Sequence, residues 1–152
     1  MPIPPLGSAC FPTVLVTDDN AETVEILRLY LSRSGMRVLS ARSGPQCLAL
    51  ALQQPVDIVL LDIVMPGMSG IETCAALRAQ PTTRQLPVLF LTAKDDYATR
   101  AAGIRLGVCE FLTKPIRGKR LLNYLIKHTA RRPQKQKFDD VPMKVTIDEV
   151  QM

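Results

Sequence analysis

The sequence predicts a doubly wound α/β domain in which five parallel strands alternate with five helices. Short apolar runs rich in β-branched residues recur between segments of helical periodicity. The central run, Ile58-Val59-Leu60-Leu61, has no polar face, the mark of a strand covered on both sides in a parallel sheet. Finally, the runs end in polar residues: Asp18 and Asp19 after the first, Asp62 after the third, Thr92 at the end of the fourth and Lys114 after the fifth. Open α/β sheets keep their chemistry at the carboxyl ends of strands.

Each element follows from its residues. Thr13-Val-Leu-Val-Thr17 is the first strand. Over residues 21–32, Val24, Ile26, Leu27, Tyr30 and Leu31 recur at helical spacing, and Gly35 is a suitable stop. A second strand covers 36–41. Ser43-Gly44-Pro45 opens a helix whose apolar stripe is Cys47, Leu48, Ala51 and Leu52, ending before Pro55. After the central strand, Pro66, Gly67 and Gly70 turn the chain into a helix over 71–79, closed by Pro81. A fourth strand is expected over 87–92, with proline at its tolerated first position. A helix from about 95 to 106 stops at Gly107, a fifth strand covers 109–113, Lys114-Pro115 makes the turn, and a last helix runs over 118–130.

Composition narrows the function. At 152 residues and 47% hydrophobic, the chain is one domain with a real core and a short appendage. The division is 1–12 as a proline-rich extension, 13–131 as the domain, and 132–152 as a tail. In that tail Val141, Met143, Val145 and Ile147 alternate at strand period, so it reads as disordered or as an arm for a sheet edge. The formal charge of +5 gathers mainly after Lys114 with no recognition module beside it, so a solvated basic face is expected and direct nucleic-acid binding is not. Cys10, Cys47, Cys74 and Cys109 form no pair of zinc-ligand spacing, and His128 is the single histidine, read as a surface residue offsetting a helix dipole. The thiols fit core positions in a reducing compartment. The start of the chain makes a poor secretory signal, and no run is long enough to span a membrane, so a cytoplasmic location is expected.

With the first strand central and the third beside it, Asp18, Asp19, Asp62, Thr92 and Lys114 converge on one edge. Neighbouring carboxylates repel unless a hard cation sits among them, and oxygen donors with room for water suit Mg²⁺. Lys114 brings a mobile positive charge and Thr92 a hydroxyl, both suited to holding phosphoryl oxygens. Asp62 is then a nucleophile toward activated phosphorus. Taken singly, Asp18 or Asp19 could merely cap the first helix, and Phe111 could be core.

These motifs resemble the receiver domain of two-component response regulators. The residues that carry it are Asp18-Asp19, Leu-Leu-Asp62-Ile-Val-Met-Pro66-Gly67-Met-Ser-Gly70, Leu-Thr92-Ala93 and Lys114-Pro115, spanning roughly 13–131. The resemblance implies a flavodoxin-like fold of strand order 2-1-3-4-5, and phosphoryl transfer from a histidine kinase or phosphotransfer protein onto Asp62. It implies Mg²⁺ held by Asp18, Asp19, Asp62 and the backbone carbonyl of Val64. It further implies Thr92 and Phe111 as a switch pair, a Lys114-Pro115 peptide that is usually cis, and a partner surface on the fourth helix, fifth strand and fifth helix. Such a chain catalyses its own aspartyl phosphorylation and dephosphorylation and turns over no separate substrate. Val64 and Lys94 occupy positions that tune dephosphorylation. The last helix lacks the acidic and arginine pattern of receivers that dimerise on DNA, although Glu110 is retained, so homodimerisation stays open.

Other classes compete. A phosphorylation-independent interaction or dimerisation module would show an eroded acid pair or no lysine, and a receiver cut from a larger regulator or hybrid kinase would look the same over these residues. A haloacid-dehalogenase phosphatase needs a second Asp where Val64 stands. A flavodoxin needs a Ser/Thr/Gly phosphate cradle where the chain is acidic.

Overall fold

Alternation along the strands decides which side chain meets which helix. The computed structural model describes residues 12–93 and 96–129; the segments 1–11 and 130–152, with Cys10 and Lys94, lie outside the described residues. Strands β1 (Thr13–Thr17), β2 (Arg37–Ala41), β3 (Ile58–Asp62), β4 (Val88–Thr92) and β5 (Glu110–Thr113) are all parallel, in the expected order β2-β1-β3-β4-β5. The helices between and after them are α1 (Ala21–Arg33), α2 (Gly44–Gln53), α3 (Gly70–Arg78), α4 (Tyr97–Arg105) and α5 (Gly118–His128).

Val14, Val16, Ile58, Leu60, Leu89 and Leu91 turn to one face of the sheet, where Leu27 and Leu31 of α1 and Leu121 and Leu125 of α5 cover them. Leu15, Val59, Leu61, Val88 and Phe90 turn to the other and meet Cys47 of α2 and Cys74 and Leu77 of α3. Every residue of β1, β3 and β4 is buried, which is why those runs carry no polar face. Cys47, Cys74 and Cys109 are free thiols; burial pushes the Cys47 thiol up to about 11, which makes it an inert core group.

Helix starts are fixed by short polar side chains. Asn20 caps α1, Ser43 caps α2, and Asp96 caps α4. Ser69 and Glu72 form a reciprocal capping box on α3. The first residues expected in three strands, Met36, Pro87 and Cys109, lie just outside β2, β4 and β5, although the Pro87 carbonyl still accepts from the Val59 N–H at 3.0 Å. Helix α3 stops at Arg78, before Pro81, and that arginine has a purpose. Its guanidinium donates to the carbonyls of Leu86 (2.7 Å), Leu106 (2.7 Å), Arg84 (3.0 Å) and Gly107 (3.3 Å), tying the approach to β4 to the turn after α4. His128 does lie in the last turn of α5, but it is half-buried, with Nε2 3.5 Å from a carboxylate oxygen of Glu110.

Phe90 lies in the middle of β4 and is fully buried, whereas Leu52 projects from α2 into solvent. Phe90→Ala is expected to cost about 3–5 kcal/mol by the cavity it leaves, and Leu52→Ala about 0.5 kcal/mol or less. Urea unfolding of the two variants checks the contrast.

Candidate functional site

Strand register brings the polar strand ends together. Thr17 is opposite both Ala41 and Leu61, Asp62 is opposite Leu91, and Thr92 is opposite Thr113. The next residues after β1 and β5, Asp18 and Lys114, therefore emerge at the same edge as Asp62 and Thr92. The loop after β3 is held down by Gly70: its N–H donates to the Ile63 carbonyl at 2.8 Å, and a Cβ on it would collide with the backbone carbonyl of Asp62. Only glycine lets the start of α3 press this closely on the strand end.

Asp18 is almost wholly buried, and both its oxygens are engaged. One accepts from the Asn20 N–H at 3.0 Å, the other from Lys114 Nζ at 3.0 Å. The same ammonium stands 3.5 Å from Asp62 Oδ1. Asp18, Asp19 and Asp62 each offer a carboxylate oxygen within 4.8 Å of the other two. Burial, then repulsion from Asp18, lifts the Asp62 carboxyl to about 6, against the opposing pull of Lys114. Burial by itself works against the Lys114 ammonium, but its hydrogen bond to Asp18 and its attraction to both aspartates outweigh that and leave its pKa raised. Among the described residues, three carboxylates face one ammonium, which leaves an excess of negative charge, and the all-oxygen donor set fits a hard divalent cation such as Mg²⁺.

Thr92 is buried at the end of β4. Phe111 pairs with Phe90 across the ladder, so Phe111 and Thr92 share a face of the sheet. The Phe111 ring meets Phe90 edge-on, with centroids 5.7 Å apart, and carries the Arg100 guanidinium 4.8 Å from its centroid. Val64 is exposed beyond the strand end, and the Lys114-Pro115 peptide is cis. Lys94 lies outside the described residues.

Sequence reasoning weighed Asp18 and Asp19 as helix caps, but Asn20 has that role, accepting from the N–H groups of Glu22 (2.9 Å) and Thr23 (3.1 Å). Its place directly before α1 was the available signal. Arg42, which donates to the Asp19 carbonyl at 3.1 Å, was missed. It has no motif; it reaches Asp19 because β1 and β2 are neighbours.

The sequence model described as the response regulator receiver domain matches residues 14–126. The response regulator PleD of Caulobacter vibrioides is 43% identical over 103 residues, which is 68% of this chain and 23% of that protein. Protein PilH of Pseudomonas aeruginosa is 37% identical over 109 residues, covering 72% of this chain and 90% of that one. Among solved structures, the Vibrio cholerae chemotaxis protein CheY4 superposes with a TM-score of 0.75 at 29% identity, covering 78% of this chain and 98% of that one.

The raised Asp62 carboxyl has a consequence for stability. Its folded pKa of about 6 exceeds the ordinary carboxylate value of 3.8, so between those two values the folded state holds a proton that the unfolded chain has released. The stability this contributes is full below the unfolded value and is lost as pH rises through the folded one. Without divalent cations, Asp62→Asn should therefore be more stable than the parent by about 2–3 kcal/mol at neutral pH, the gap closing as pH falls from about 6 to about 4. Urea titrations between those limits read the difference directly.

Proposed function

This chain belongs to the response regulator receiver domain family, and we propose that it accepts a phosphoryl group on Asp62 and thereby switches a protein-binding surface. The observation that carries this reading is the cluster of Asp18, Asp19 and Asp62 oxygens within 4.8 Å of one another, with Lys114 Nζ 3.5 Å from Asp62. The donor is the phosphohistidine of a histidine kinase or phosphotransfer protein. An Asp62 oxygen attacks phosphorus in line, the new O–P bond forms as the P–N bond breaks, and the imidazole nitrogen keeps the electron pair. With its carboxyl near 6, Asp62 is mostly the anion at neutral pH and so able to attack.

Asp18, Asp19, Asp62 and the Val64 carbonyl would hold Mg²⁺, which supplies charge neutralisation for the phosphoryl oxygens. Lys114 shifts its ammonium from the aspartates toward those oxygens, and the Thr92 hydroxyl donates to them. Movement of Thr92 vacates space on the face it shares with Phe111. Turning of that ring biases the surface of α4, β5 and α5, where a downstream protein docks. Val64 and Lys94 set how readily water reaches the acyl phosphate. The chain spans only 23% of the length of PleD.

Intact mass after incubation with acetyl phosphate and Mg²⁺ tests the chemistry. The parent should gain one phosphoryl group and Asp62→Asn none; equal labelling of both would refute Asp62 as acceptor. Lys114→Ala should slow the gain by about 100- to 1,000-fold, the usual effect of removing one preorganised electrostatic partner. Mg²⁺ alone should raise the melting temperature of the parent at neutral pH, since it binds the folded cluster. In Asp18→Asn that rise should be largely lost.

A further inference from the structure

The three clustered aspartates are not held alike. Asp18 is fixed through its side chain, by the Asn20 N–H and Lys114, and its own N–H donates to the Ala41 carbonyl at 3.2 Å. Asp62 is the last residue of β3 and is buried with it. Asp19 lies in the loop between β1 and α1, half-buried, and the contact that holds it falls on its main chain. Arg42, the first residue after β2, donates to the Asp19 carbonyl twice, from Nη2 at 3.1 Å and from Nε at 3.3 Å. A guanidinium offers these N–H groups in one rigid plane, so the pair sets the direction of the carbonyl as well as its distance.

The arginine reaches from a firm base. Its backbone N–H donates to Gln46 Oε1 at 2.7 Å, and the Gln46 N–H donates to the Ser43 hydroxyl at 3.2 Å, so the turn into α2 is closed in both directions. A Cβ on Gly44 would run into the Thr73 hydroxyl and the Met68 side chain, so the start of α2 presses directly on α3 and the loop before it. An Asp19 carboxylate oxygen lies within 4.8 Å of its counterparts on Asp18 and Asp62, and like charges at that range push it outward when no cation is bound. We propose that Arg42 is a positioning residue for the cation site. By clamping the Asp19 main chain to the end of β2 it keeps that carboxylate in place against the repulsion, so the three oxygens are gathered before Mg²⁺ arrives. This role rests on the reading above, that the cluster holds Mg²⁺. Charge alone would give Arg42 the opposite effect: a guanidinium beside the site repels a dication, so its removal would tighten binding if electrostatics ruled and weaken it if positioning does.

Mg²⁺ affinity, read by titration calorimetry on the full chain, separates the two. Arg42→Met loses both donors and the charge, whereas Arg42→Lys keeps the charge and a single point donor. Positioning predicts that Arg42→Met binds Mg²⁺ about 10-fold more weakly than the parent, the usual scale for losing a group that orients a metal ligand, with Arg42→Lys between them. In the metal-free protein the Asp19 carbonyl ¹³C resonance should move in Arg42→Met, while the urea midpoint barely changes because Arg42 is exposed. Binding by Arg42→Met as tight as the parent's, or tighter, would overturn the role, as would an Asp19 carbonyl resonance that stays in place. A parent that binds no Mg²⁺ would overturn the cation reading and this role with it. A parent that binds beside an equally tight Arg42→Met would leave the cation reading standing and remove Arg42 alone.

Discussion

Asp18 and Asp62 are held out of water at the ends of adjacent strands with the Lys114 ammonium between them, and much of the sheet edge is arranged around that constraint. Two buried carboxylates this close repel strongly, and each alone would cost several kcal/mol to desolvate. Lys114 Nζ sits 3.0 Å from one and 3.5 Å from the other. It arrives there because the Lys114 N–H extends the β4–β5 ladder to the Thr92 carbonyl at 2.8 Å, which carries the strand path to the aspartates before the chain turns. The geometry is that of a site whose charge is deliberately unbalanced. What relieves the imbalance, a proton on Asp62 or a cation among the three oxygens, also decides whether the Asp62 carboxyl is neutral or charged.

The fold was legible because its signals are local and redundant. Unbroken apolar runs such as 58–61 report burial on both faces, and Asp18, Asp62, Thr92 and Lys114 report strand ends by ending those runs. Strand order is not local, and it came from the family resemblance; the right-handed crossover rule supplied only a parallel sheet covered on both faces. Boundaries slipped by a residue at β2, β4 and β5, since pairing with a neighbour and not composition decides where a ladder begins.

What stayed hidden depends on contacts between distant parts of the chain. Nothing around Arg78 in the sequence shows that its guanidinium gathers four carbonyls from two loops, since each acceptor is a backbone group that any residue would present. His128 was read from its helix alone, and the opposing Glu110 carboxylate on β5 was out of view. Arg100 over Phe111 belongs with these: a cation above a ring joins α4 to β5 with no trace in residue spacing.

Gly103 has no side chain, and a Cβ there would run into the Phe111 ring and the Val108 side chain. The ring thus rests on the bare backbone of α4. No side chain of Gly103 stands between them to soak up movement. Any displacement of that ring would have to carry α4 with it or open a void beside it, and a close-packed interior resists the void.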